Sequence, residues 1–116
     1  MGTHRISVNR LAFDNIIKNR KRIEGRLKRG YFQKNILNKN DIIIFINKED
    51  QCLVRITDII EYINAQEYLE NEILDNIIPD ISSISDALKH YTKFYSKKKL
   101  ENTIMIAIRF NLVLSV

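Results

Sequence analysis

The sequence predicts an α+β domain built as a small mixed β-barrel with helices flanking its mouth, and three observations predict it. Segments of strand and helix periodicity follow one another in the order β-α-β-β-β-α-α-β. Strands are thus mostly neighbours in sequence, and a helical insertion precedes the last one. The chain has 116 residues, enough for one domain, 1–116, with a sizeable core. Only three glycines are present and none opens a phosphate-cradling loop. That disfavours the doubly wound α/β alternative, whose strands and helices alternate throughout.

The opening strand is expected over Arg5–Val8. A helical pattern follows, with Phe13, Ile16 and Ile17 on one face and Asp14, Asn15 and Lys18 on the other. Asn19 stands where that helix should stop, because asparagine readily accepts the left-handed conformation of a helix C-terminus. From Arg22 to Leu27 the period becomes two: Ile23, Gly25 and Leu27 alternate with Arg22, Glu24 and Arg26. Lys28–Lys39 is basic and irregular and contains Tyr31 and Phe32. The turn cluster Asn38-Lys39-Asn40-Asp41 then launches the buried-strand run Ile42–Ile46.

A polar hairpin loop over Asn47–Gln51 leads into a long strand from Cys52 to about Ile60. Gln66–Ile78 reads as one helix, with Leu69, Ile73, Leu74, Ile77 and Ile78 on one side and Pro79 enforcing a stop. Ser83 with Asp86 has the character of a capping box. It opens a helix whose buried stripe is Ile84, Ala87, Leu88, Tyr91 and Tyr95. Lys97–Lys99 is expected as a loop, and Thr103–Phe110 as the last strand. The apolar tail Leu112–Val116 lies beyond it, to pack on its own barrel or to meet a partner.

No apolar run approaches the ~20 residues a membrane-spanning helix needs. The segment Met1–Arg5 lacks the apolar stretch of a secretory signal, so an intracellular location, cytoplasm or nucleus, is expected. The lone cysteine, Cys52, has no partner for an internal disulfide and sits in an apolar strand, as a core residue does. His4 and His90 are far apart in sequence, so neither a metal site nor a cofactor is expected.

The net charge of +5 is unevenly spread. Residues 1–58 hold 13 Lys and Arg against 6 Asp and Glu, whereas residues 59–116 hold 6 against 8. Such asymmetry suggests one positive face and a polyanionic partner. The abundance of Ile, Asn and Lys, as in proteins from AT-rich genomes, accounts for some of the lysines but not for the arginines. Glu24 stands among Arg20, Lys21, Arg22, Arg26 and Lys28, and nearby cations favour an ionised carboxylate. Such a cluster would grip phosphate through Arg26, or accept a base amino group at Glu24. The competing reading is a surface ladder of ion pairs. Lys21 would face the wrong way on an unbroken strand, so spacing alone does not bring it to Glu24. Tyr31 and Phe32 would either stack on bases or pin their loop to the core.

The segment Phe13–Leu27 resembles the opening of an ASCH domain, a PUA-like family: an aromatic-led helix, a basic turn and a Lys-x-x-Glu-x-Arg strand, here Lys21, Glu24 and Arg26. Asn40-Asp41-Ile-Ile-Ile-Phe45 is similar to the family's Gly-Asp-x-Ile-x-Phe strand, and Ile59-Ile-Glu-Tyr62 to its strand-end tyrosine. Glu67–Glu70 and Ser83–Tyr95 resemble the later helices. The resemblance spans about residues 6 to 110. It departs at Asn102-Thr103-Ile104, where Gly-Val usually precedes the last strand. It departs again at Tyr62-Ile-Asn-Ala65, which lacks a hydroxyl of the usual corner.

The resemblance implies a PUA-like barrel and a cleft, with Lys21, Glu24, Arg26, Arg22 and Tyr62 as ligand-binding residues and RNA or a modified nucleotide as partner. Lys21 would join that site from the turn. Three functions follow. The first is a module that binds without cleaving. The second is a hydrolase with Lys21 and Glu24 as catalytic residues. The family includes N4-acetylcytidine amidohydrolases, whose threonine nucleophile is replaced here by Glu24 and whose third acid is matched nearest by Asp80. It also includes ribonucleases, in which Glu24 would take a proton. The third is a protein-interaction adaptor that has lost the ligand.

Overall fold

Strand periodicity becomes five strands: β1 (Thr3–Ser7), β2 (Ile23–Leu27), β3 (Ile42–Asn47), β4 (Asp50–Tyr62) and β5 (Met105–Ser115). The computed structural model describes residues 2–34 and 36–115, and of 34, 114 and 115 the backbone only. The strands form one curled, mixed sheet in the order β1-β3-β4-β5-β2. β1 runs parallel to β3, and the other pairs are antiparallel. This is the expected α+β fold with a small mixed barrel, which the structure shows half-closed. Its edge strands are β1 and β2. A guanidinium bridges the seam between them, Arg26 Nη2 donating to the Ser7 carbonyl at 3.1 Å.

Helix α1 (Arg10–Ile17) starts where the Asn9 side chain accepts from the amide of Ala12. It buries Phe13 and Ile16 against one face of the sheet, in a core with Ile43, Phe45, Val54, Ile106, Ile108 and Phe110. The opposite face carries α2 (Ala65–Asn71), α3 (Leu74–Ile77), α4 (Ile84–Tyr91) and α5 (Lys97–Asn102). Their core gathers Tyr68, Leu69, Ile77, Ala87, Tyr91 and Leu100 over Leu27, Met105 and Ala107. β5 serves both cores by alternation, Ile106 and Ile108 to one side and Met105 and Ala107 to the other.

The expected order gains two helices. Gln66–Ile78 is not one helix, because Glu72 is extended (φ −103°, ψ 157°) and turns its carboxylate inward. There it accepts two bonds from Arg109 at 2.8 Å and one from the Tyr62 hydroxyl. Lys97–Lys99 is no loop but the first turn of α5, capped by Ser96 through the amide of Lys99. The signal was Ser96; three lysines at a helix start oppose the macrodipole and hid it. The irregular segment after β2 contains a 3₁₀ turn, Gly30–Lys34. The tail belongs to the sheet: β5 runs to Ser115 and pairs with β4 as far as Cys52. Val116 and the side chains of 114 and 115 lie outside the described residues. No helix among the described residues is long and apolar enough to cross a membrane.

Candidate nucleotide-binding cleft

The site begins at the end of α1. Asn19 takes φ 59°, the left-handed turn expected of it, and the Asn15 carbonyl accepts from both Arg20 (2.9 Å) and Lys21 (3.0 Å). That turn reverses the chain before β2 starts, so Lys21 is freed from the strand's alternation. Its side chain enters the interior at 6% exposure. All three ammonium protons find acceptors: the Ile23 carbonyl at 2.6 Å, the Ile77 carbonyl at 2.8 Å and Glu24 Oε1 at 3.2 Å.

Glu24 is 8% exposed and holds Lys21 through Oε1 and Arg26 Nε through Oε2, the latter at 2.8 Å. Burial pushes its carboxyl up, but Lys21 and Arg26 outweigh that and hold it below the usual carboxylate range. Burial pulls Lys21 down, with Glu24 only partly opposing. Arg26 also lies against the Phe32 ring, 5.5 Å from its centroid. The three motif residues therefore converge, as the resemblance implies. They do so as a locked acceptor–donor unit rather than as three free charges.

The unit lies in a cleft of about 320 Å³ along the open barrel seam. One wall is Ser7–Asn9 with Leu11, Ala12 and Asn15 of α1; the other is Ile77–Pro79 with His90, Tyr91, Phe94 and Tyr95. Leu11 (61% exposed) and Phe94 (53% exposed) are apolar groups left open at this site. Beside it the Tyr91 and Tyr68 hydroxyls meet at 3.0 Å, and burial raises both phenols. Tyr91 and Tyr95, expected as core residues only, also line the cleft. His90, weighed from the sequence only as a metal ligand, lines it too. The signal was helical spacing: His90 and Phe94 stand one turn apart, flanking the stripe of Ala87, Tyr91 and Tyr95.

Two expected ligand-binding residues are elsewhere. Arg22 precedes the strand proper; its exposed side chain folds back on the Asn19 carbonyl at 3.3 Å, and its backbone carbonyl accepts from Phe110. Tyr62 bonds the buried Glu72, which pairs with the partly exposed Arg109, at the far end of β4. Asp80 is spent on an exposed ion pair with Arg20 at 2.8 Å, outside the cleft. Phe32 pins its loop to the core, and Tyr31 bonds His4 Nδ1 at 2.6 Å. The other nitrogen of His4 meets buried Asp41 at 2.8 Å. Cys52 is fully buried, and burial pushes its thiol up to about 11. Among the described residues no three His, Cys, Asp or Glu side chains gather as metal ligands would.

This architecture is an ASCH-type, PUA-like fold. It superposes on the ASCH domain of Lactobacillus crispatus with a TM-score of 0.74 and 15% identity, covering 96% of this chain and 80% of that one. The hypothetical protein PH0355 is similar with a TM-score of 0.83 and 26% identity, over 96% of this chain and 99% of its own. PF0455 from Pyrococcus furiosus is also similar, with a TM-score of 0.69 and 26% identity, over 96% and 97% of the two chains. No protein-family model and no curated protein sequence matches the chain significantly.

Proposed function

We propose that the cleft binds a nucleobase, as part of RNA or of a modified nucleotide, without cleaving it. One observation carries this: an ionised carboxylate and a guanidinium, fixed against each other at 2.8 Å, sit in a cleft that also exposes Leu11 and Phe94. A nucleobase is the ligand class with apolar faces and a hydrogen-bonding edge. The volume suits a nucleoside-sized ligand, since small-molecule pockets start at about 300 Å³. Glu24 would accept from a base N–H, and Arg26 Nη1, which has no partner among the described residues, would donate to a carbonyl or ring nitrogen. The likeness to an ASCH domain supports a nucleotide ligand by analogy of fold alone.

Binding is favoured over hydrolysis by the state of the same groups. A general base works best with a pKa near the operating pH, and Glu24 is held low instead. Lys21 would have to abandon a carbonyl to take part in hydrolysis, and the position of the family's threonine nucleophile is held by Glu24. The adaptor reading has less to support it, because the backbone of the tail pairs with β4 as part of the protein's own sheet.

Fluorescence anisotropy of a labelled single-stranded RNA tests the proposal. Wild type should bind, and Arg26→Met and Glu24→Gln should each weaken binding. Affinity should also fall with added salt where phosphates contribute. Equal affinity of all three proteins would refute it, and acetate release from N4-acetylcytidine would move the reading to the hydrolase.

A further inference from the structure

We infer that His90 is a specificity-determining contact of the cleft, reading the polar edge of an uncharged nitrogen heterocycle together with Glu24 and Arg26. This rests on the nucleobase reading of the cleft and adds a residue outside the Lys-x-x-Glu-x-Arg motif.

The two histidines of the chain differ in what their nitrogens do. His4 has both engaged, with Tyr31 and with Asp41, and is a structural clasp. His90 lines the cleft half-buried, and neither ring nitrogen has a hydrogen-bond partner among the described residues. Its ring is nonetheless held in place, edge-on to Tyr91 (5.9 Å, 86°) and to Phe94 (5.6 Å, 62°). A fixed, unspent polar ring in a cleft differs from a histidine placed there for packing.

The charges around it set its form. Lys21 and Glu24 face it from the β2 side, and Lys93 follows it past the end of α4. Burial, then the two lysines, favour the neutral imidazole, and Glu24 opposes them more weakly. A neutral imidazole offers one donor and one acceptor. Lys21 has no proton left to offer a ligand. The remaining hydrogen-bonding capacity of the motif side and the α4 side is therefore the free lone pairs of Glu24, Arg26 Nη1, the two nitrogens of His90 and the hydroxyl of Tyr95. A ligand that satisfies them carries donors and acceptors side by side on one edge, as uncharged nucleobases do, and bases that differ in that order should be told apart.

Calorimetric titration with cytidine, uridine, adenosine and guanosine tests this on wild type, His90→Phe, His90→Gln and Glu24→Gln. His90→Phe keeps a ring beside Tyr91 and Phe94 and loses both nitrogens; His90→Gln keeps a donor and an acceptor. The wild-type preference among the four nucleosides should shrink roughly tenfold in His90→Phe and survive in good part in His90→Gln. If His90→Phe retains both affinity and preference while Glu24→Gln loses them, the inference about His90 fails and the cleft reading stands. If wild type binds only RNA and His90→Phe binds that RNA with the same affinity and base preference, the inference fails; if wild type binds neither RNA nor nucleoside, both fall.

Discussion

A Cβ on Gly25 would stand 2.6 Å from Cζ of Tyr68 and closer still to its hydroxyl, so the two residues compete for one volume. Tyr68 is fully buried and cannot swing away. The glycine inside the Lys-x-x-Glu-x-Arg strand is thus set by close approach of a ring, with no demand from its backbone angles. Gly25→Ala should destabilise the fold by about 1–3 kcal/mol, the cost of overpacking. Urea denaturation reads this as a lower midpoint. Tyr68→Phe should restore only part of the loss, because Cζ remains.

Lys21 is expected to act on stability before it acts on any ligand. Lys21→Met keeps most of the volume but leaves Glu24 buried with Arg26 alone and strips the Ile23 and Ile77 carbonyls of a donor. Breaking a buried pair from one side costs about 3–5 kcal/mol. Removing both charges in Lys21→Met/Glu24→Gln should recover part of that. A double-mutant cycle on thermal or chemical unfolding measures the coupling.

Asp41 predicts an acid limb. It accepts from the Gly2 amide at 2.8 Å, His4 at 2.8 Å and the Asn38 amide at 3.0 Å. The Gly2 bond first and His4 second hold its carboxyl at about 2, below the ordinary 3.8. A depressed folded pKa stabilises at pH above the unfolded value and ceases to do so as pH falls through the folded one. Roughly 2 kcal/mol should therefore disappear between about pH 4 and pH 2. Glu24 and Glu72, also held low, act in the same sense. Comparing Asp41→Asn with wild type isolates its share: the variant should be weaker at neutral pH and lose less on acidification.

The break between α2 and α3 should depend on Arg109. Glu72 has a 1% exposed side chain, and Arg109 meets it with two bonds of 2.8 Å. Arg109→Leu would leave that carboxylate with Tyr62 as its remaining side-chain donor. Since Arg109 is itself partly open to water, a loss of about 2 kcal/mol is expected. Amide hydrogen exchange should quicken first near Tyr68–Glu72. Unchanged protection there would show that the pair is dispensable.

How much of this could be read from residues alone depended on range. The β2 alternation, the Asn19 turn and the Ser83 cap are local signals, and each is present in the structure. The extension of β5 was missed because pairing with β4 continues through Asn111 and Leu112 past the expected end. Glu72 shows why the long helix failed: a tertiary partner 37 residues away outweighs helical periodicity. For the cleft, Lys21, Glu24 and Arg26 came from motif order. Arg22 shared their alternation yet left the site because the chain turns before it. Helical spacing puts His90 and Phe94 beside the apolar stripe of α4, but their place in the site comes from packing across the seam, which that spacing does not encode.

The most direct measurement of the central claim is NMR mapping with ¹⁵N-labelled protein and nucleoside 5′-monophosphates. Perturbed amides should cluster at Leu11, Glu24–Arg26 and His90–Tyr95. Perturbations centred instead on the second hollow, between α2, α4 and α5 near Asn64, Leu88 and Leu100, would contradict the account, as would a spectrum that no nucleotide moves.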